Sequence, residues 1–136
     1  MIFTVMPFSA FTVSALTSEY YTYTISSGEA TITDVDESIS GDIIIPSELG
    51  GYPVTIIGEY AFDYCDNIES ICIQNSITSI GRDAFAYCYG LNSVTIGDSV
   101  ISIGDWAFYY CYNLKSEHSA TALQVSVLMR FGVVTV

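Results

Sequence analysis

Three cysteines, Cys65, Cys88 and Cys111, recur at intervals of 23 residues, each closing an Ala-Phe-x-Tyr-Cys segment (AFDYC, AFAYC, AFYYC). Thiols in such a register could form disulfides, hold a metal, act as nucleophiles, or only fill a wall of the core. A zinc site wants closely spaced Cys and His ligands, but no C-x-x-C is present and His118 is the only histidine. A nucleophilic thiolate needs a base beside the sulfur, and none is encoded nearby. A disulfide needs Cα atoms about 4.4–6.8 Å apart with converging Cβ vectors, whereas copies stacked in one phase point the same way. Packing as a small hydrophobe is the favoured reading, with a disulfide as the alternative. Cys72 differs. It lies between Ile71 and Ile73, is expected to face outward, and should be the thiol that reacts.

The carboxylates offer a second possibility. Asp63, Asp66 and Glu69 fall on one connection, and Asp34, Asp36 and Glu37 on another. Such groups can do acid/base chemistry or bind Ca²⁺, yet neither set recurs in the later repeats or fits a calcium-loop spacing. A solvated acidic surface is the better account. There is no phosphate-cradling glycine loop and no G-x-S-x-G elbow. The expectation is a protein without catalytic residues, metal or cofactor.

The whole chain sets further bounds. Its 136 residues suffice for one domain with a modest core. Although 51% of residues are hydrophobic, no run approaches the roughly 18 apolar residues of a membrane span. Three Lys/Arg against fifteen Asp/Glu give a net charge of −12, which disfavours nucleic acid and anionic membranes as partners.

The cysteines belong to a longer repeat. Residues 54–76, 77–99 and 100–122 align without gaps. Ile57, Ile80 and Ile103 match, as do Gly58, Gly81 and Gly104, and Ala61, Ala84 and Ala107. The expected core columns are Phe62, Phe85 and Phe108; Cys65, Cys88 and Cys111; and Ile68, Leu91 and Leu114. Ile68-x-x-Ile71-x-Ile73 and Leu91-x-x-Val94-x-Ile96 read as a bend feeding a short strand with alternate residues inward. The glycine is expected at a positive φ, and Ala-Phe in a short helical turn on the opposite wall. One coil cannot bury its apolar side alone, so coils must stack on a shared core.

These residues carry a resemblance. The run I-P-S…G-G-Y-P-V-T-x-I-G, followed by x-x-A-F-x-x-C-x-x-L-x-S, resembles the BspA-type leucine-rich repeat family of bacterial surface proteins. The match runs from about Tyr21 to Ser116, and residues 16–53 resemble the strand-rich cap that precedes such repeats. The resemblance implies a repeat solenoid, mainly β with short helical turns, secreted or held at the cell surface. It also implies adhesion, through protein or glycan ligands, with a spacer in a longer array as the other reading.

The candidate ligand residues are aromatic. Tyr64, Tyr87 and Tyr110 form one column, Tyr60 and Trp106 another, and Tyr89 and Tyr112 a third. Exposed Tyr and Trp suit recognition surfaces, while a column that only stacks on itself would shield the coil edge.

Both ends depart from the pattern. Residues 1–15 are apolar and close on Val13-Ser14-Ala15, which reads as the remnant of a secretory signal lacking its basic region, or else as a buried strand. After Ser116 the phase is lost in EHSATALQVSVLMRFGVVTV, residues 117–136. One permissible codon set for Ala120 to Val136, read from the third base, encodes NSVTSIGSDAFWGCYS, a fourth repeat in the right place. A frame-shifted tail is therefore expected, with a divergent apolar cap as the alternative. An uncapped final coil would favour end-to-end self-association.

Overall fold

The computed structural model describes residues 15–115. An N-terminal antiparallel unit runs into coils stacked in parallel. Strands β1 (Leu16–Ser18), β2 (Tyr21–Ser26) and β3 (Glu29–Val35) form a meander, with Tyr21, Tyr23, Ala30, Ile32 and Val35 turned into the core. Ser27 and Gly28, at φ 53° and 79°, supply the two left-handed residues that a tight two-residue hairpin requires. Strand β4 (Gly41–Ile44) then crosses to the other wall, and β5 (Glu48–Leu49) turns through Gly50-Gly51 into β6 (Tyr52–Ile57). The repeats contribute β7 (Ile68–Ile73), β8 (Ser79–Ile80), β9 (Ser93–Ile96) and β10 (Ser102–Ile103).

Two sheets line the coil. One runs β1-β2-β3-β6-β8-β10, with β5 paired to β6, and the other runs β4-β7-β9. Ile57 sits beside Ile80 and Ile80 beside Ile103; on the second wall Ile43 sits beside Ile71 and Ile71 beside Val94. Each coil advance places like residues next to one another, which is the L-x-x-L-x-L phase made physical. Segment 16–53 thus contributes more than the antiparallel meander, because β4 already pairs in parallel with the first repeat strand.

Two local expectations change. The Ala-Phe walls are successive turns, and the described residues contain no helix. Along the first of them the amides alternate in target. Ala61, Asp63 and Cys65 donate within their own coil, to Gly58, Tyr60 and Phe62, while Tyr60, Phe62 and Tyr64 donate to Arg82, Ala84 and Ala86 of the next. A helix would send every amide back along its own chain; here half of them tie coil to coil.

The second change concerns the glycine column. Gly58, Gly81 and Gly104 are not at positive φ. A Cβ on Gly81 would lie 2.6 Å from the Glu59 nitrogen and 2.6 Å from the Gly58 carbon. Glycine is needed there because neighbouring backbones touch, not for its φ. The left-handed positions fall instead on Tyr60, Tyr64, Asp83, Tyr87, Trp106 and Tyr110, at φ between 52° and 59°. An L-residue in that region gives up about 1–2 kcal/mol, so the surrounding stack must hold these side chains in place.

Of the expected core, Phe62, Cys65, Ile68, Phe85, Cys88, Leu91, Phe108 and Cys111 are buried, and Leu114 is half-buried against the same cluster. Phe85 stacks between Phe62 and Phe108 at centroid distances of 4.8 and 5.1 Å. No helix among the described residues is long and apolar enough to cross a membrane. The signal remnant (apart from Ala15), the frame-shifted tail and the self-association expected of it lie outside the described residues.

Candidate ligand-binding face

Two thiols of the cysteine column hydrogen-bond to the coil before them. The Cys88 thiol donates to the Phe62 carbonyl oxygen at 3.1 Å, and the Cys111 thiol to that of Phe85, also at 3.1 Å. Each sulfur points into the preceding coil, and all four cysteines are free thiols. Burial, with Glu37, Asp34 and other carboxylates behind it, pushes the Cys65 thiol up to about 12. The neighbouring Cys111 thiol and burial push Cys88 up as well. These sulfurs stay protonated near neutral pH, which suits a wall and not a nucleophile. Cys72 is half-buried between buried Ile71 and Ile73. Among the described residues no group of three His, Cys, Asp or Glu side chains could hold a metal ion.

Outside this wall the tyrosines gather. The turn segments carry Tyr64, Tyr87 and Tyr110 outward at the same left-handed position of each coil, and their rings stack: 4.7 Å at 2° between Tyr64 and Tyr87, then 5.1 Å at 22° between Tyr87 and Tyr110. Two residues further along each coil, Tyr89 and Tyr112 stack at 6.0 Å. The columns meet edge to face, Tyr87 on Tyr89 at 6.3 Å and Tyr110 on Tyr112 at 5.2 Å. Trp106 joins through Tyr109, 6.1 Å away, and Arg82 lies 4.7 Å over the Trp106 ring. Tyr64, Tyr89, Trp106 and Tyr112 are exposed, whereas Tyr87 and Tyr110 are half-buried between their neighbours.

Six of the seven sequence-derived residues therefore form one continuous face. Tyr60, although exposed, takes part in none of these ring contacts, because Asp83 occupies its column in the next coil. Tyr109 belongs to the face and escaped the sequence reading, since its column holds Asp63 and Ala86 in the earlier coils and shows no repetition.

Carboxylates border the rings. Asp66 accepts the Tyr89 amide at 3.5 Å, and Asp83 holds Arg82 at 3.1 Å. Asp63 has an enclosed Oδ1 without a hydrogen-bond partner. Burial, and then Asp83, pushes its carboxyl above the usual range. Partial burial together with nearby phenols and carboxylates raises Tyr87 and Tyr89, and a hydrogen bond with Tyr110 plus burial pushes Tyr109 up to about 12. Tyr87, Tyr89 and Tyr109 therefore remain neutral hydroxyls at physiological pH.

Coils of one strand-bend-strand-turn unit, stacked in register with an aromatic outer edge, define a leucine-rich-repeat solenoid. The family described as "BspA type leucine rich repeat region (6 copies)" matches residues 42–125, and the chain belongs to it. Among solved structures it is similar to a leucine-rich repeat protein from Bacteroides capillosus ATCC 29799, with 39% identity over 75% of this chain and 79% of that one, and a TM-score of 0.68. It is similar also to a leucine-rich cell surface protein from Faecalibacterium prausnitzii A2-165, with 32% identity over 75% of this chain but 29% of that chain, and a TM-score of 0.66. A leucine-rich repeat protein of T. pallidum shares the fold, with 23% identity over 74% of this chain and 48% of that one, and a TM-score of 0.67. No curated protein matches.

Proposed function

We propose that this chain is a non-catalytic binding module, secreted or held at a bacterial cell surface, whose aromatic face engages a protein or glycan ligand in adhesion. The observation that carries the reading is the continuity of Tyr64, Tyr87, Tyr89, Tyr110, Tyr112, Trp106 and Tyr109 across successive coils. Such a face supplies large, stiff contact area at small entropic cost, as recognition surfaces do. The Faecalibacterium relative is a cell surface protein, which supports the location. Protonated thiols supply no ready nucleophile, in keeping with a module that binds and does not react.

A second reading, a structural spacer in a longer array, is favoured by the near-parallel Tyr64–Tyr87 stack, which a purely mechanical ladder would also show. Binding screens against extracellular matrix proteins and a glycan array, with the unaltered chain and a Tyr89→Ala/Tyr112→Ala variant, separate the two. Loss of ligand by a variant that still folds and melts cooperatively supports the binding module. No ligand for either chain, or equal binding by both, leaves the spacer.

A further inference from the structure

Resting on that reading of the aromatic face, we propose that its partner is a cationic protein segment, one that presents arginine or lysine side chains. Three observations lead there.

The first is which part of the central ring, Tyr87, is open. A sugar recognised by an aromatic residue lies flat on a free ring face. Tyr87 has Tyr64 on one side at 4.7 Å and Tyr110 on the other at 5.1 Å. Its outward surface is the ring edge and the hydroxyl. A row of phenol oxygens accepts hydrogen bonds from ammonium and guanidinium groups, and those groups need no flat platform.

The second is charge. The chain carries −12, and Arg82 and Lys115 are the only basic residues among the described ones. Arg82 is already engaged by Asp83. Asp66 borders the face at Tyr89, and Asp63 lies close enough to Tyr87 to help raise its hydroxyl. A potential of one sign beside an aromatic surface steers and selects partners of the opposite sign.

The third is an internal example. The Arg82 guanidinium lies over Trp106 at 4.7 Å while its Nε meets Asp83 at 3.1 Å. Aromatic ring plus carboxylate is thus an arrangement that this surface already makes with a cation, and Asp66, which accepts the Tyr89 amide and lies close enough to the Tyr89 hydroxyl to help raise it, sets a carboxylate beside a second ring.

The test uses a fluorescein-labelled peptide alternating Arg and Ser, its counterpart with Gln for Arg, and an N-acetylglucosamine oligosaccharide, titrated by anisotropy and calorimetry. The expected result is binding of the Arg peptide and not the Gln peptide, weakening several-fold between low and physiological salt. Tyr89→Ala/Tyr112→Ala should lower that affinity about 10-fold or more while the chain still folds and melts cooperatively, and Asp66→Asn should lower it about 3-fold. Asp98→Asn and Glu48→Gln, the same charge change away from the face, should leave it within about 2-fold. If these controls weaken the peptide as much as Asp66→Asn does, the attraction is net charge alone and the proposal falls. If the oligosaccharide binds through Tyr89 and Tyr112 while the Arg peptide does not, the cationic partner is wrong and the binding face stands. If no ligand responds to the tyrosine pair, the face reading itself fails.

Discussion

The Cys88 thiol donates to the carbonyl oxygen of Phe62, one coil back, and Phe62 in turn stacks on Phe85 of the coil that carries Cys88. Sulfur and ring thus join the same two coils from inside. Replacing Cys88 by alanine removes the donor and leaves a small void, and is expected to destabilise by about 1–3 kcal/mol. Serine is expected to cost more than alanine, because its shorter bond holds the buried hydroxyl further from the Phe62 oxygen and leaves it poorly paired. Cys72→Ser, half-buried between two buried isoleucines, should stay within about 0.5 kcal/mol. Urea midpoints of the three variants check the ordering. In the unaltered chain Cys72 should label far faster with an alkylating reagent than Cys65, Cys88 or Cys111.

The glycine column makes a different demand. Gly81→Ala drives a methyl into the Gly58–Glu59 backbone, and overpacking of that kind costs about 1–3 kcal/mol or more. Gly28→Ala meets no atom within 4 Å, but its φ of 79° makes it lose about 1–2 kcal/mol by strain alone. The two separate on adding back freedom. Gly28→Asn should be milder than Gly28→Ala because asparagine tolerates left-handed backbone, whereas Gly81→Asn should be worse than Gly81→Ala.

Much of this was legible because the coil repeats. Ile57, Ile80 and Ile103, or Phe62, Phe85 and Phe108, announce themselves by recurring, and stacking then places each beside its copy. The face was legible for the same reason at Tyr64, Tyr87 and Tyr110. Tyr109 was not, since a residue that appears in one coil leaves no periodic trace, and its contact with Tyr110 exists only once the turn is folded. Nor could the left-handed tyrosines be foreseen. Sequence preference puts glycine or asparagine at positive φ, and here hydrogen bonds between coils override it.

That override can be measured at Tyr87. The ring contributes two stacked contacts, each worth about 0.5–1.5 kcal/mol, against the strain of its φ of 57°. Tyr87→Ala should destabilise through the loss of both stacks while the strain remains. Tyr87→Asn should be less harmful, because it relieves the backbone. Equal melting temperatures for the two variants would show that the left-handed conformation carries no strain at this site.

The pH dependence follows from Asp63. Its carboxyl is raised in the folded protein by burial and then by Asp83, so between the ordinary aspartate value and the raised one the folded state holds more protons than the unfolded state. Stability from this group is therefore intact below about pH 4 and falls as pH rises through that window. Asp63→Asn removes the liability, and the variant is expected to melt higher than the unaltered chain at about pH 7 and with no advantage at about pH 3. Part of the group is open to water, so the gain should be small and should shrink further in high salt, which screens the repulsion from Asp83. Thermal melts at both pH values, with and without added salt, provide the comparison. A variant that melts lower at about pH 7 would mean that Asp63 makes a stabilising contact which outweighs its enclosed, unpartnered oxygen.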